Sequence, residues 1–230
     1  MITLYGPAQA PYTEKVRRAL IYKGLAFALR EPESPEDYKR WSPTTGMLPV
    51  LDLDGEHVPD STQIMLRLDE LHPDPPLLAR EPKVAQQQRQ LEEWADHSFS
   101  WHYMRYRRMI GDGFELPVAS RDAFPGEAEG EEPRRSPFWR RLFAWIRAGG
   151  TWERPITGLQ RQLAARLDDL GNFLGSRPFF YSDNLSMADL SVYGMLWTMR
   201  YDAIPGSSRI LEERPALIAF MTRVESETGG

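Results

Sequence analysis

The first part of the chain alternates short apolar runs with segments in which apolar residues recur at helical spacing. Apolar runs bounded by glycine, proline or aspartate predict strands at residues 2–5, 26–29, 49–53 and 56–58. Helical spacing predicts helices from residue 11 onward, at 36–41, and from 60 or 61 to 71. Asp54-Gly55, between the last two strands, predicts a tight hairpin. The predicted order is therefore β-α-β-α-β-β-α.

The rest of the chain, from Lys83 onward, is helical in pattern. Apolar residues recur on single helix faces in three sets: Leu159, Leu163, Leu167, Leu170 and Leu174; Leu190, Tyr193 and Trp197; and Leu217, Met221 and Val224. Ser186 and Asp189 have the spacing of a capping box. In that motif the Ser186 side chain accepts from first-turn amides, and the Asp189 side chain accepts from the Ser186 amide. This half is predicted to be an all-α domain, and Asp189 to be structural.

Composition narrows the class of protein. At 230 residues the chain has room for a smaller α/β domain and a larger helical one. No stretch approaches the roughly 20 apolar residues of a membrane span, and the N-terminus lacks the features of a signal peptide, so we expect a cytoplasmic protein that binds no membrane. The chain has no cysteine, which removes disulfides, thiolate nucleophiles and cysteine-bound metal. A net charge of -5 argues against nucleic acid as a partner.

Two motifs in the first half point to a binding site. A proline directly before a strand, as in Leu48-Pro49, cannot donate a ladder hydrogen bond and belongs at the first residue or an edge of a strand. If the Leu48-Pro49 bond is cis, the peptide groups of Leu48 would face outward beside Asp60 and Ser61. These residues would then offer main-chain groups to an extended peptide, and a hydroxyl and a helix N-terminus to its carboxylate. The alternative is an edge strand that simply ends in a turn.

The element order and these motifs resemble the glutathione transferases, over nearly the whole chain. The resemblance implies an α/β thioredoxin-like N-terminal domain at 1–75, a linker at 76–82 and an all-α C-terminal domain at 83–230, with an inserted loop and short helix at about 111–152. It also implies glutathione as a substrate, no metal, an apolar second ligand, and a homodimer.

In this family the sulfur of glutathione lies near the N-terminus of the first helix, where amides and the helix dipole favour a thiolate. Related classes carry serine or cysteine just before the first proline of that helix, and this chain has Ala10 there. The second position used in redox chemistry corresponds to Thr13, so cysteine-based reduction is excluded at this site. Tyr5, Tyr12 and Thr13 are the candidate thiolate-stabilising residues, Gln9 lies on the adjacent loop, and the helix amides alone are the alternative.

The resemblance also assigns the peptide-binding residues. Leu48 and Pro49 would hold the backbone of glutathione, while Asp60 and Ser61 would receive the ammonium and the carboxylate of its γ-glutamyl end. Many relatives have a lysine two residues before the proline, and Met47 replaces that cation here. We therefore expect binding that is weaker than is usual for the family.

Three aromatic residues and an arginine in the predicted helical domain are candidates for the pocket of the second substrate: Trp101, His102, Arg105 and Tyr106. The aromatic rings suit an apolar ligand, and one of His102, Tyr103 and Tyr106, which carry polar groups, would face it as donor or base. The alternative is that they fill the core and the interface between the domains.

Residues 110–154 form a longer connection than most relatives have. Residues 126–133 are acidic and turn-rich, and Ser136-Pro137 caps a short predicted helix with apolar residues on two faces, which suits a lid or a dimer contact. Three hypotheses follow: a glutathione transferase acting on an apolar electrophile, a non-catalytic protein that binds a hydrophobic ligand, and an interaction module. The fold alone does not decide between them.

Overall fold

The computed structural model of the protein describes residues 1–109 and 153–229. Its first part has the predicted order of strands and helices, with the hairpin at Asp54 and Gly55. The strands are β1 (Ile2–Tyr5), β2 (Phe27–Arg30), β3 (Val50–Leu53) and β4 (Glu56–Pro59). The helices between and after them are α1 (Pro11–Tyr22), α2 (Pro35–Trp41) and α3 (Ser61–Leu71).

The register of the sheet brings three chain segments to one edge. The strand order is β2-β1-β3-β4, with β2 parallel to β1 and both later pairs antiparallel. Tyr5 at the end of β1 pairs with Val50 at the start of β3, and Val50 pairs with Pro59 at the end of β4. Because these three residues lie side by side, the start of α1, the Leu48-Pro49 loop and the start of α3 leave the sheet at the same edge.

The second part is helical, as predicted. It comprises α4 (Pro82–Met109), α5 (Glu153–Leu174), α6 (Met187–Met199), α7 (Ser207–Glu212) and α8 (Pro215–Glu227). The apolar faces predicted for α5 and α8 are buried, and in α6 Leu190 and Tyr193 are buried while Trp197 is half-buried. Helix α6 is apolar on every side because it packs against α1, α4 and α8. One hydrophobic core therefore runs from the sheet into the helical domain.

The capping box at the start of α6 is confirmed. The Asp189 carboxylate accepts hydrogen bonds from the Ser186 amide (2.9 Å) and the Ser186 hydroxyl (2.5 Å), and its other oxygen accepts from the Phe180 amide (2.7 Å). Asp189 is fully buried. All three bonds satisfy polar groups at a buried helix end, which is a structural role.

The domain boundaries stay predictions; α4 begins at Pro82, at the end of the predicted linker. The inserted loop and short helix predicted at 111–152, with the acidic run and the proposed lid, lie outside the described residues. Within 1–109 and 153–229, no helix has the length and apolar character needed to cross a membrane.

Candidate functional site

The first turn of α1 presents main-chain donors rather than a side-chain cap. Ala10 is the N-cap residue in an extended conformation, and its methyl group can make no capping hydrogen bond. The Glu14 amide donates to the Ala10 carbonyl at 3.0 Å, which is the first bond of the helical ladder. Pro11 has no N–H, so the amides of Tyr12 and Thr13 are the helix-end donors left without an intrahelical acceptor. They carry the positive end of the helix dipole.

The Tyr12 hydroxyl of this turn is bonded to α4, and the buried Thr13 hydroxyl has no hydrogen-bond partner among the described residues. The Tyr12 hydroxyl is hydrogen-bonded to the Ser100 hydroxyl and donates to the Asp96 carbonyl at 3.2 Å, both on α4. Burial is the main cause that raises the pKa of Tyr12 to about 12. Thr13 is fully buried, and its hydroxyl packs so closely on Gly6 that a Cβ built there would lie 2.5 Å from Oγ1.

Of the remaining candidates near α1, Tyr5 packs against α2, and Gln9 lies on the loop directly before this turn. The Tyr5 ring packs on Trp41 of α2 with 4.7 Å between ring centroids, and lies 6.4 Å from the ring of His57. Successive side chains of a strand point to opposite faces, so Tyr5 faces away from the core residue Leu4. Gln9 is exposed on the loop that precedes α1.

The loop before β3 and the start of α3 form the second half of the site. The Leu48-Pro49 peptide bond is cis, with Pro49 buried, Leu48 half-buried and Met47 exposed. Asp60 is the N-cap of α3 at a φ of 71°, and its Oδ1 accepts from the amides two and three residues onward at 3.0 Å each. Ser61 is the first residue of α3, and it is 5% exposed. The groups predicted to bind a peptide therefore belong to adjoining segments.

A buried ionic cluster joins these two helix starts. Lys15 of α1 donates to Glu92 Oε1 at 2.8 Å and to Asp96 Oδ2 at 2.6 Å, both on α4. The hydroxyl of Thr62, in the first turn of α3, donates to the same Glu92 oxygen at 2.5 Å. We call these four residues the Lys15 cluster. Through it, α4 is bonded to both the first turn of α3 and the second turn of α1.

Lys15 carries its charge at neutral pH. Burial alone would lower the pKa of Lys15, but the charges of Asp96 and Glu92 outweigh it and raise that pKa above its usual value. Burial is also the main cause that raises the pKa of Asp96 to about 6, in opposition to Lys15. A carboxyl group with that pKa is still mostly ionised at pH 7. The cluster borders a groove of about 760 Å³ between the start of α3 and α4, which Asp60 and Arg89 also line.

The candidates for a second-substrate pocket lie on the last turns of α4. The Arg105 guanidinium stacks over the Trp101 ring at 5.0 Å, and Trp101 is 37% exposed. His102 points inward: it is 4% exposed, and its Nδ1 lies 2.7 Å from the Ser98 carbonyl. Burial is the main cause that lowers the pKa of His102. Tyr106 is half-buried and packs against the core.

Comparison with known proteins identifies the family. Residues 4–76 match the family model of the glutathione S-transferase N-terminal domain, and residues 155–229 match that of the C-terminal domain. The chain belongs to the glutathione S-transferase family. No curated protein sequence matches it significantly.

Solved structures agree with this glutathione S-transferase fold. One from Rhodospirillum rubrum F11 has 22% identity and a TM-score of 0.69, with 98% of this chain and 88% of that chain covered. One from Methylobacterium radiotolerans, in complex with glutathione sulfonate, has 25% identity and a TM-score of 0.61, with 98% and 90% covered. Rice GST1, in complex with glutathione, has 21% identity and a TM-score of 0.66, with 100% and 89% covered.

Sequence reasoning missed the Lys15 cluster of this glutathione S-transferase. One signal was available. Lys15 lies next to the core residue Val16 in a part of α1 where the nearby positions are buried, so Lys15 would be buried as well. A buried lysine requires a partner of opposite charge. Glu92 and Asp96 share one face of α4 and were the matching acids.

Proposed function

We propose that the protein binds glutathione at the sheet edge where α1, the Leu48-Pro49 loop and α3 meet, and transfers its thiolate to an apolar electrophile. The observation that carries this proposal is the register of the sheet, in which Tyr5, Val50 and Pro59 are neighbours. Two helix N-termini and the Leu48-Pro49 loop adjoin there, a combination suited to an extended tripeptide with a carboxylate at its γ-glutamyl end and a thiol on its central residue.

The peptide part of glutathione has a partner for most of its polar groups. Main-chain groups of Leu48 would pair with the cysteinyl backbone, beside Pro49. The Ser61 hydroxyl and the N-terminus of α3 would bind the γ-glutamyl carboxylate. Asp60 uses Oδ1 for the capping bonds, so its Oδ2 would accept a hydrogen bond from the γ-glutamyl ammonium. Met47 supplies no cation for the glycyl end.

The chemical step would then depend on α1. The thiol releases its proton to solvent, and the amides of Tyr12 and Thr13 stabilise the sulfur anion at the helix N-terminus. The sulfur forms a bond to carbon of the electrophile, and the leaving group departs with the electrons of the bond that breaks. Gln9 lies on the loop beside this position.

The second substrate would approach from the helical domain. The exposed Trp101 ring and the stacked Arg105 offer an apolar surface and a cation, with His102 and Tyr106 on the same part of α4. This arrangement supports an apolar electrophile that is aromatic or carries a partial negative charge. The proposal includes a homodimer in the cytoplasm, as the family resemblance implies.

Calorimetric titration of glutathione tests the binding step. We expect saturable binding that Ser61→Ala weakens about 10- to 100-fold, because it removes a hydrogen bond to a charged group worth about 1.5–3 kcal/mol. The matched control is Ser176→Ala, the same change at an exposed residue after α5, which should leave the affinity unchanged. An S-alkyl glutathione should bind more tightly than glutathione if an apolar pocket adjoins the sulfur. No heat at millimolar glutathione, or equal binding by the two variants, would contradict the proposal.

A non-catalytic protein that binds glutathione or a hydrophobic ligand is the second candidate. It is favoured by Ala10 at the N-cap and by the Tyr12 hydroxyl, which is bonded to α4. Turnover with an activated chloroarene separates the two candidates: binding without turnover across neutral and alkaline pH would select this one. The interaction-module hypothesis depends on residues outside the described ranges.

A further inference from the structure

Helix α6 makes a backbone-to-backbone approach to the first turn of α1 at Gly194. A Cβ built on Gly194 would lie 2.6 Å from the Pro11 carbonyl oxygen, 3.4 Å from its carbonyl carbon and 3.5 Å from Lys15 Cβ. The closest of these atoms belongs to the main chain, which cannot rotate aside as a long side chain does. Any residue other than glycine at this position would therefore force α1 and α6 apart.

Neither helix has room to yield as a whole. Helix α6 is buried on nearly every side, and all its residues from Met187 to Leu196 are buried. The next turns of α1 are held by bonds: Lys15 to Glu92 and Asp96, and Arg18, whose guanidinium donates to Tyr193 Oη at 3.0 Å. The part of α1 that lies before these anchors is its first turn, so a displacement caused at Gly194 falls on Pro11, Tyr12 and Thr13.

We propose that the Tyr193-Gly194 face of α6 positions the first turn of α1, and that Gly194 is a positioning residue for the sulfur site. This inference rests on the proposed function, in which the Tyr12 and Thr13 amides stabilise the thiolate. Gly194 itself touches no substrate. It lets the helical domain set where the two amides point, while Tyr193 fixes the turn that follows through Arg18.

Gly194→Ala tests the proposal, with Gly171→Ala in α5 as the matched control. The control adds the same methyl group to a helix, but its nearest neighbour is Leu217 Cγ at 4.0 Å, an ordinary contact. The first measurement needs no ligand: amide chemical shifts of protein labelled with ¹⁵N tyrosine and threonine. We expect the Tyr12 and Thr13 signals to move in Gly194→Ala and to stay in place in Gly171→Ala.

The second measurement follows the thiolate. In Gly194→Ala we expect the pKa of bound glutathione to rise and kcat at neutral pH to fall about 10- to 100-fold, since a small misplacement of a catalytic donor has effects of that size. The loss should shrink at alkaline pH, where the thiol ionises without help. The affinity for S-methyl glutathione should change less than about threefold, because its γ-glutamyl end is held by α3 rather than α1.

The outcomes separate the two proposals. Unmoved Tyr12 and Thr13 amides, or an unchanged thiol pKa, would overturn the role of Gly194. If the wild-type protein binds no glutathione, the proposed function fails, while the ligand-free shifts still decide what Gly194 does. If Gly194→Ala does not fold, Tyr193→Phe takes its place, because it removes the bonds of the Tyr193 hydroxyl to Arg18 and Glu225 without adding volume. It should move the same two amides by a smaller amount, and unmoved amides would again overturn the proposal.

Discussion

Replacement of Lys15 by methionine tests how strongly the Lys15 cluster holds the two helix starts in place. The change keeps most of the side-chain volume and removes the only charge that Glu92 and Asp96 face within hydrogen-bonding distance among the described residues. In the variant, two carboxylates remain in a site where their side chains are 5% and 20% exposed. Thr62 would be the remaining donor to Glu92.

Removal of one partner of a buried ion pair costs about 3–5 kcal/mol, because the other charge is left without compensation. Asp96 is the more exposed of the two acids, so water can relieve part of its loss. We therefore expect the free energy of unfolding to fall by about 3 kcal/mol at pH 8. A typical domain has about 5–15 kcal/mol in total, so the variant should still fold.

The loss should depend on pH in a definite direction. Lys15 has a raised pKa in the folded state, so the stability from its own titration is fully present below its unfolded pKa of about 10.4 and adds no pH dependence between pH 5 and 8. Without Lys15, the attraction that opposes the burial of Asp96 is gone, so the folded pKa of Asp96 should lie further above its unfolded value of about 3.9. Groups with raised pKa values favour the folded state at low pH, and that stability is lost as pH rises through the folded pKa. The pKa of Asp96 is already about 6 with Lys15 present. The deficit should therefore be smaller at pH 5 than at pH 8.

Urea unfolding followed by tryptophan fluorescence measures both effects, since the chain has 7 tryptophans. Lys83→Met is the matched control, because Lys83 is exposed at the start of α4 and its replacement should cost less than about 0.5 kcal/mol. Adding Glu92→Gln to Lys15→Met should restore part of the loss at pH 8. A deficit equal to that of the control, or one that is the same at both pH values, would refute this reasoning.

Two further predictions concern side chains with shifted pKa values. His102 has a pKa below its usual 6.5 in the folded state, so the unfolded chain binds more protons and the free energy of unfolding should fall as pH drops below about 6.5. His102→Gln should flatten that pH dependence in urea titrations between pH 5 and 7, and an unchanged slope would exclude His102 as its source. Tyr12→Phe removes a hydroxyl bonded to α4, so it should lower the free energy of unfolding by about 1 kcal/mol. The value of kcat/KM for glutathione should stay within about threefold, and a larger loss would make Tyr12 a catalytic donor.

Much of the fold is predictable because it depends on neighbouring residues. The hairpin at Asp54-Gly55 follows from turn chemistry, and the capping box of Ser186 and Asp189 needs only three residues of spacing. The face shared by Trp101 and Arg105 follows from helical periodicity, and the Arg105 guanidinium lies over the Trp101 ring as that spacing implies. In each case the deciding contact lies within one or two turns of chain.

The candidate site is less predictable, because its deciding contacts join distant parts of the chain. Lys15 meets Glu92 and Asp96 across separations of 77 and 81 residues, and no local pattern pairs them. The direction of the Tyr12 hydroxyl depends on where α4 crosses α1, which also removes it from the sulfur position. Nothing in the sequence distinguishes Gly194 from other helical glycines. Its close contact with the Pro11 carbonyl of α1 is visible only in the structure.

The loss of a side-chain donor at Ala10 has a calculable consequence. To lower a cysteine thiol pKa from about 8.5 to about 7 requires about 2 kcal/mol of preferential stabilisation of the anion. A hydrogen bond to a charged group contributes about 1.5–3 kcal/mol, so the amides of Tyr12 and Thr13 are sufficient if both point at the sulfur. A serine or tyrosine hydroxyl can rotate to follow a displaced sulfur, but a helix amide is fixed by its peptide plane. Under the proposed function, the position of the first turn of α1 would therefore replace the adjustable donor, and its close contact with α6 would matter more here than in a relative that keeps a hydroxyl.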